Sequence, residues 1–251
     1  MKSPLKPLFL LADSSLLFWR SGDKPFLDCL RVLTGAGLAV PPIQAAYLGA
    51  SNGDVPAFYE LFTAAMELAG ISHCRMIPSR PSDEDRAWLA EAHVILLAGG
   101  DPLVGWERFR ENGLEPVLRQ RYLDGAVLMG ISAGAMQLGE QAWSESGSGS
   151  GSGGAALFPV LGLAPFIVGA HEQPDWTGLR QAVREAGPGV RGIGIPAGGG
   201  ALLHPDQSLE PVRHPLVELR YEQGTLRETL LSPPREPYRG EVRLRPSTLL
   251  Q

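Results

Sequence analysis

The stretch GISAGAM, residues 130–136, sets a serine between two glycines directly after the apolar run GAVLM. A serine hydroxyl is a poor nucleophile until a base takes its proton. A strand that ends in G-x-S-x-G and turns sharply into a helix would hold the Ser132 hydroxyl out. It would also let strand and helix pack closely through Gly130 and Gly134, and point a helix N-terminus at the site. The backbone N–H of Ala133 would then be free to meet a developing oxyanion. The same glycines also serve a plain tight turn, so Ser132 reads as a nucleophile only if other groups support it.

An oxyanion hole needs a second donor, expected from a neighbouring strand end. LLAGGDP, residues 96–102, offers one. Without side chains at Gly99 and Gly100, the backbone there approaches a substrate carbonyl closely. The alternative is that these glycines only shape a turn, with Asp101 as the N-cap of the helix that follows. The base should be a histidine. His73 and His93 begin strand-like runs, at the edge of the sheet opposite the site, and read as structural. His204 and His214 stand beside prolines, as solvated loop residues do. His171 ends the apolar run PFIVGA and opens the polar HEQPDW, which places it at a strand end.

The elements that would position these groups follow a regular rhythm. PLFLLAD (7–13), AAYLGAS (45–51), SHCRMIP (72–78), HVILLAGG (93–100) and GAVLMGIS (125–132) are strand-like. They alternate with amphipathic stretches at 24–37, 55–70, 82–92 and 103–122. Ser82 and Asp85 have the spacing of a capping box. Near-continuous apolar strands between helices predict a mostly parallel α/β sheet with helices on both faces. Ligands in such sheets sit at the carboxyl ends of the strands, where AGGD and ISAGA both fall. A helix is expected over 134–143, then a flexible Gly/Ser loop at 144–154. Further strands are expected at 166–172, 191–197 and 200–205, and LVELRYEQGTLRETLLSP (216–233) reads as an antiparallel pair turned at EQGT.

Strand–GGD–helix, strand–GISAGA–helix, then GLAPFIVGAHE and GIGIPAG resemble the dipeptidase E and cyanophycinase family of serine peptidases, over roughly residues 45–205. The resemblance implies a fold like that of class I glutamine amidotransferases, with serine where those enzymes use cysteine. It implies Ser132 as nucleophile, His171 as general base, and Gly100 and Ala133 as oxyanion-hole donors. Members hydrolyse short peptides, typically amino-terminal aspartyl dipeptides, or the aspartate–arginine polymer cyanophycin. Neither a metal nor an organic cofactor is implied.

Two departures qualify the resemblance. Where the family carries an acid that orients the histidine, GIGIPAG has Ala197. Losing the acid of a triad typically lowers kcat by ~10⁴-fold, about 5–6 kcal/mol. Glu145, Asp175 and Asp206 are the acids available to replace it, while Glu172 would point to the opposite face of its strand. Family members that select acidic residues also place an arginine shortly after the histidine, where a guanidinium grips a carboxylate at two points. Here Arg180 is the nearby candidate for substrate binding, Asp175 stands where some relatives carry arginine, and Trp176 reads either as a pocket wall or as a core residue. Aspartyl specificity is therefore not carried over.

Composition fits these expectations. The chain has 251 residues, 44% of them hydrophobic and 20% charged, with a formal charge of −5. That suits one soluble domain over 1–251. Cys29 and Cys74 cannot form a disulfide framework and read as thiols of a cytoplasmic protein. No apolar stretch approaches the ~20 residues of a membrane span, and the acidic balance argues against a nucleic-acid partner. The expected activity is a serine-type peptidase, of exopeptidase or dipeptidase kind, acting on short peptides as a monomer or homo-oligomer. The alternative is an impaired homologue that binds a peptide or small ligand in the same pocket. An α/β-hydrolase esterase is a weaker third reading, because that fold places its histidine far downstream of an acid.

Overall fold

The computed structural model describes residues 4–38, 41–144 and 156–234. From the N-terminus it runs β1 (Leu8–Leu11), a 3-10 turn (Ser14–Phe18), β2 (Arg20–Ser21), β3 (Lys24–Pro25), α1 (Asp28–Thr34), β4 (Gln44–Leu48) and α2 (Pro56–Leu68). It continues through β5 (His73–Ile77), α3 (Asp83–Glu91), β6 (Val94–Leu97), α4 (Pro102–Glu111), α5 (Leu114–Leu123), β7 (Val127–Ile131) and α6 (Ala133–Leu138). Then come β8 (Gln141–Ser144), β9 (Ala156–Pro159), β10 (Ile167–Ala170), α7 (Thr177–Ala186) and β11 (Arg191–Ile195). The last strands are β12 (Gly200–Leu203), β13 (Leu209–Val212), β14 (Leu216–Glu222) and β15 (Thr225–Leu231).

The main sheet has seven strands in the order β13-β12-β1-β7-β6-β4-β5. Its five central and far-edge strands, β1, β7, β6, β4 and β5, run parallel, and β12 and β13 add an antiparallel edge. Apolar residues along each inner strand divide between the two faces, as a period of two requires. Leu8, Leu10, Ile95, Leu97 and Leu128 pack with Trp106, Phe109 and Leu118 of α4 and α5. Phe9, Leu11, Val94, Leu96 and Met129 pack with Leu30 of α1 and with Phe62 and Met66 of α2. Helices therefore cover both faces, as the sequence predicts.

A second sheet, in the order β10-β11-β14-β15, carries the parallel pair β10 and β11 and the antiparallel pair β14 and β15 turned at Gln223 and Gly224. The helix α7 packs its buried Leu179 and Val183 on this sheet. Of the three further strands expected after residue 165, β10 and β11 form part of this second sheet and β12 joins the main one.

Three local expectations change. The helix expected over 103–122 is two helices, α4 and α5, parted at Gly113 in the left-handed region (φ 66°). The helix expected over 134–143 ends at Leu138. A Cβ at Gly139 would lie 2.9 Å from the Phe166 carbonyl, so the chain turns there and Gln141–Ser144 pairs as β8 with β9. Ser144 is therefore a strand residue, and the remainder of the 144–154 tract lies outside the described residues. The capping box at Ser82 and Asp85 and the Asp101 N-cap both form. Among the described residues no helix is long and apolar enough to cross a membrane.

Candidate active site

Register brings three strand ends abreast. Leu11 of β1 pairs with Ile131 of β7, and Gly130 of β7 pairs with Leu97 of β6. LLAD, GIS and AGGD therefore leave the sheet side by side, at the carboxyl edge where α/β sheets build their sites.

Ser132 stands at the tip of the β7–α6 turn with φ 51° and ψ −111°, outside the regions that L-residues favour. Its own amide is fixed by the Leu11 carbonyl at 2.9 Å. The turn closes tightly because Gly130 and Gly134 lack side chains. A Cβ on Gly134 would lie 2.1 Å from the Leu97 carbonyl oxygen, and one on Gly130 would lie 2.4 Å from the Gly134 backbone. Strand and helix touch backbone to backbone, which leaves the serine hydroxyl projecting.

His171 follows β10 and also has a positive φ, 45°. Its amide donates to the Ile195 carbonyl at 2.8 Å, which ties it to the end of β11. Its Nε2 lies 2.7 Å from Ser132 Oγ, within hydrogen-bond reach. Two elements from different sheets thus aim a hydroxyl and an imidazole at one another.

Gly99 and Gly100 lie beside them; a Cβ on Gly99 would be 3.4 Å from that of Ser132. Gly100 has φ 135°, and a Cβ there would lie 2.0 Å from the Ser51 carbonyl oxygen, so only glycine fits. Among the described residues the amides of Gly100 and Ala133 donate to no backbone or side-chain acceptor. Asp101 accepts from Leu103 and Val104 as the N-cap of α4. Asp101 is thus the N-cap of α4, one of its two sequence readings.

The other sequence candidates lie elsewhere. Asp175 accepts from Thr177 Oγ1 at 2.7 Å, and Asp206 caps the β12–β13 turn through Ser208 N and Oγ. Arg180 donates to the Asp175 carbonyl and pairs with Glu228 of β15. None of the three lines the cavity beside Ser132. Local hydrogen bonding holds the two acids and a cross-element ion pair holds the arginine. Glu145 lies outside the described residues. Glu172 accepts from the Leu179 amide and Trp176 is buried against Gly194, so both serve the packing of α7. His93 accepts from the Gln44 amide near the start of its strand. His204 is no solvated loop residue: it is fully buried, 3.0 Å from Glu210.

The structure adds one group that sequence reasoning missed. Asp13, just past β1, lines the same cavity as Ser132 and His171. Its Oδ1 accepts from the Ser15 amide at 2.9 Å and its Oδ2 from the Gly198 amide at 2.6 Å. The second bond sets this carboxylate next to Ala197, the position that lacks an acid. Partial burial works against its charge, but the hydrogen bonds from Ser15 and Gly198 and the potential of the nearby His171 ring outweigh that. Together they hold the carboxyl below its ordinary range. The contribution of Asp13 to stability is therefore present at neutral pH and lost as pH falls below about 4 toward the lowered folded-state value. Acid titration of thermal unfolding is expected to show a shallower loss of stability in Asp13→Asn than in the parent over that window. The signal for Asp13 was legible in LLAD, which ends a continuous apolar strand just as AGGD and GIS do.

A cavity of about 260 Å³ lies between these groups and α2, with Leu17, Phe58 and Phe62 forming its far wall. Among the described residues no group of three or more His, Cys, Asp or Glu is placed to hold a metal ion.

Residues 43–200, more than half of the chain, match the family model described as peptidase family S51. No curated protein matches the chain in sequence. Among solved structures, a peptidase from an acI-B1 Actinobacterium superposes with a TM-score of 0.64 at 18% identity, over 91% of this chain and 95% of that one. A peptidase E candidate from Listeria monocytogenes EGD-e gives 0.52 at 16% identity, over 91% of this chain and 100% of its own. At those identities the likeness is one of fold.

Proposed function

Because the chain belongs to peptidase family S51, the dipeptidase E family of serine peptidases, we propose that it hydrolyses short peptides through an acyl-enzyme on Ser132. The observation that carries this reading is the 2.7 Å approach of Ser132 Oγ to His171 Nε2 at a strained elbow. Ser132 Oγ attacks the scissile carbonyl carbon while its proton passes to His171 Nε2. The C–N bond then breaks, and the amine leaves with that proton. Water attacks the acyl-enzyme, gives a proton back to His171, and releases the carboxylate product and free Ser132. The amides of Gly100 and Ala133, unengaged and adjacent to the nucleophile, are the donors for the oxyanion.

Among the described residues no acid is hydrogen-bonded to His171 Nδ1. Asp13 takes the electrostatic share of that role, stabilising the imidazolium through space from the same cavity. Asp13→Asn is expected to lower kcat about tenfold with KM little changed, a loss of about 1.4 kcal/mol of barrier stabilisation. A change in KM alone would assign Asp13 to binding.

An Nδ1 without an acid partner among the described residues also favours a second reading, in which the chain binds peptides and turns them over very slowly. A fluorophosphonate probe separates the two. Stoichiometric labelling of Ser132, located by mass spectrometry and accompanied by cleavage of a short-peptide library, is the expected result. Intact peptides bound by a protein that resists labelling would favour the binding reading.

A further inference from the structure

We infer that the cavity beside Ser132 is a specificity pocket for an apolar side chain next to the scissile bond, rather than for an acidic one; this rests on the hydrolase reading above. The cavity is continuous with the catalytic pair, since Ser132 and His171 form part of its wall. Its body is apolar: Leu17 from the 3-10 turn, Phe58, Leu61 and Phe62 from α2, and Ile131 from β7. Phe58, Leu61 and Phe62 share one face of their helix, at spacings of three and four residues. Phe62 is buried, whereas Phe58 and Leu61 keep 48% and 41% of their surface exposed. Large apolar side chains left open on the wall of a catalytic cavity are surface that a bound apolar group would cover.

The charged inventory points the same way. Among the described residues, the ionisable ones lining the cavity are Asp13, Tyr47 and His171, with neither lysine nor arginine beside them. The Tyr47 hydroxyl accepts from Asn52 Nδ2 at 2.9 Å, so its polar end is satisfied within the wall. A substrate carboxylate entering here would shed water without meeting a cation and would face the Asp13 carboxylate, which disfavours it twice. Arg180, the one guanidinium that the sequence offers near His171, is held by Glu228 and the Asp175 carbonyl instead.

The test uses matched peptides that differ only in the residue on either side of the cleaved bond, bearing Leu, Phe, Ala or Asp. Leu or Phe is expected to exceed Asp by about 100-fold in kcat/KM at one of the two positions, with Ala between, since each methylene in such a pocket is worth about 10–200-fold. Leu61→Arg, at a position with 41% of its surface exposed, is expected to narrow that ratio at least tenfold. A preference for Asp in a protein whose Ser132 the fluorophosphonate labels would overturn the inference and leave the hydrolase reading standing. If neither labelling nor cleavage occurs, calorimetry with the Leu and Asp peptides decides. Tighter binding of the Leu peptide upholds the pocket without the hydrolase, and equal or absent binding overturns it. Selectivity unchanged by Leu61→Arg, with a dimer that this variant dissociates in sedimentation, would assign the exposed apolar residues to a second copy of the chain and also overturn it.

Discussion

Ser132→Ala is expected to reduce kcat on any cleaved peptide by about 10³–10⁵-fold without unfolding the protein. A complete serine triad is worth about 10⁶ in kcat and its acid alone about 10⁴. Among the described residues no acid is hydrogen-bonded to Nδ1 of the imidazole, and the carboxylate that faces the cavity, Asp13, is committed to Ser15 and Gly198. The parent enzyme therefore starts below a full triad, and removal of the hydroxyl has less left to take away. His171→Ala is expected to match it, and the double variant to be no worse than either, because proton acceptor and nucleophile act in one step. Single-turnover kinetics on the three variants checks this. More than about 1% residual activity in Ser132→Ala would place the nucleophile elsewhere.

Gly134→Ala is expected to lower the thermal midpoint by roughly 10 °C and to abolish activity with it. The added Cβ would meet the Leu97 carbonyl oxygen at 2.1 Å and its carbonyl carbon at 2.6 Å. Both belong to the central strand β6, which is paired on either side and cannot yield. Overpacking typically costs about 1–3 kcal/mol, and occasionally more. A rigid backbone partner puts this site at the upper end or beyond, at about 2–4 °C per kcal/mol for a chain of this size. Gly162→Ala is the control. Gly134 is helical and has no positive φ, whereas Gly162 has one, 58°, and a Cβ there meets nothing within 4 Å, so that variant reports backbone strain alone. Calorimetric scans of both variants separate the two causes. A Gly134→Ala protein with an unchanged midpoint would mean that α6 can stand off from the sheet, and that the elbow owes nothing to close packing.

Much of this molecule is local chemistry and therefore legible in order along the chain. Uninterrupted apolar runs between amphipathic stretches fix a sheet buried on both faces, since β1, β6 and β7 have no polar face to show water. The elbow is equally local, because the same five residues supply the strained serine and the two glycines that make room for it. So is the Asp101 cap. The apolar-to-polar switch placed His171 at a strand end and the motif resemblance implied it as the base for Ser132; of the histidines read as loop residues, His204 proved to be core.

Tertiary structure decided what depends on strands distant in sequence lying side by side. Asp13 enters the site because β1 pairs with β7, and 185 residues separate it from the Gly198 amide that it holds. Arg180 pairs with Glu228 of β15, a partner on another element that no spacing rule reveals, while Asp175 and Asp206 bond Thr177 and Ser208 two residues on; none of the three lines the cavity. The apolar pocket likewise belongs to no single segment, being walled by the 3-10 turn, α2 and the elbow together. Sequence determined which groups could react; the sheet order determined which of them share a cavity, and what that cavity has room to hold.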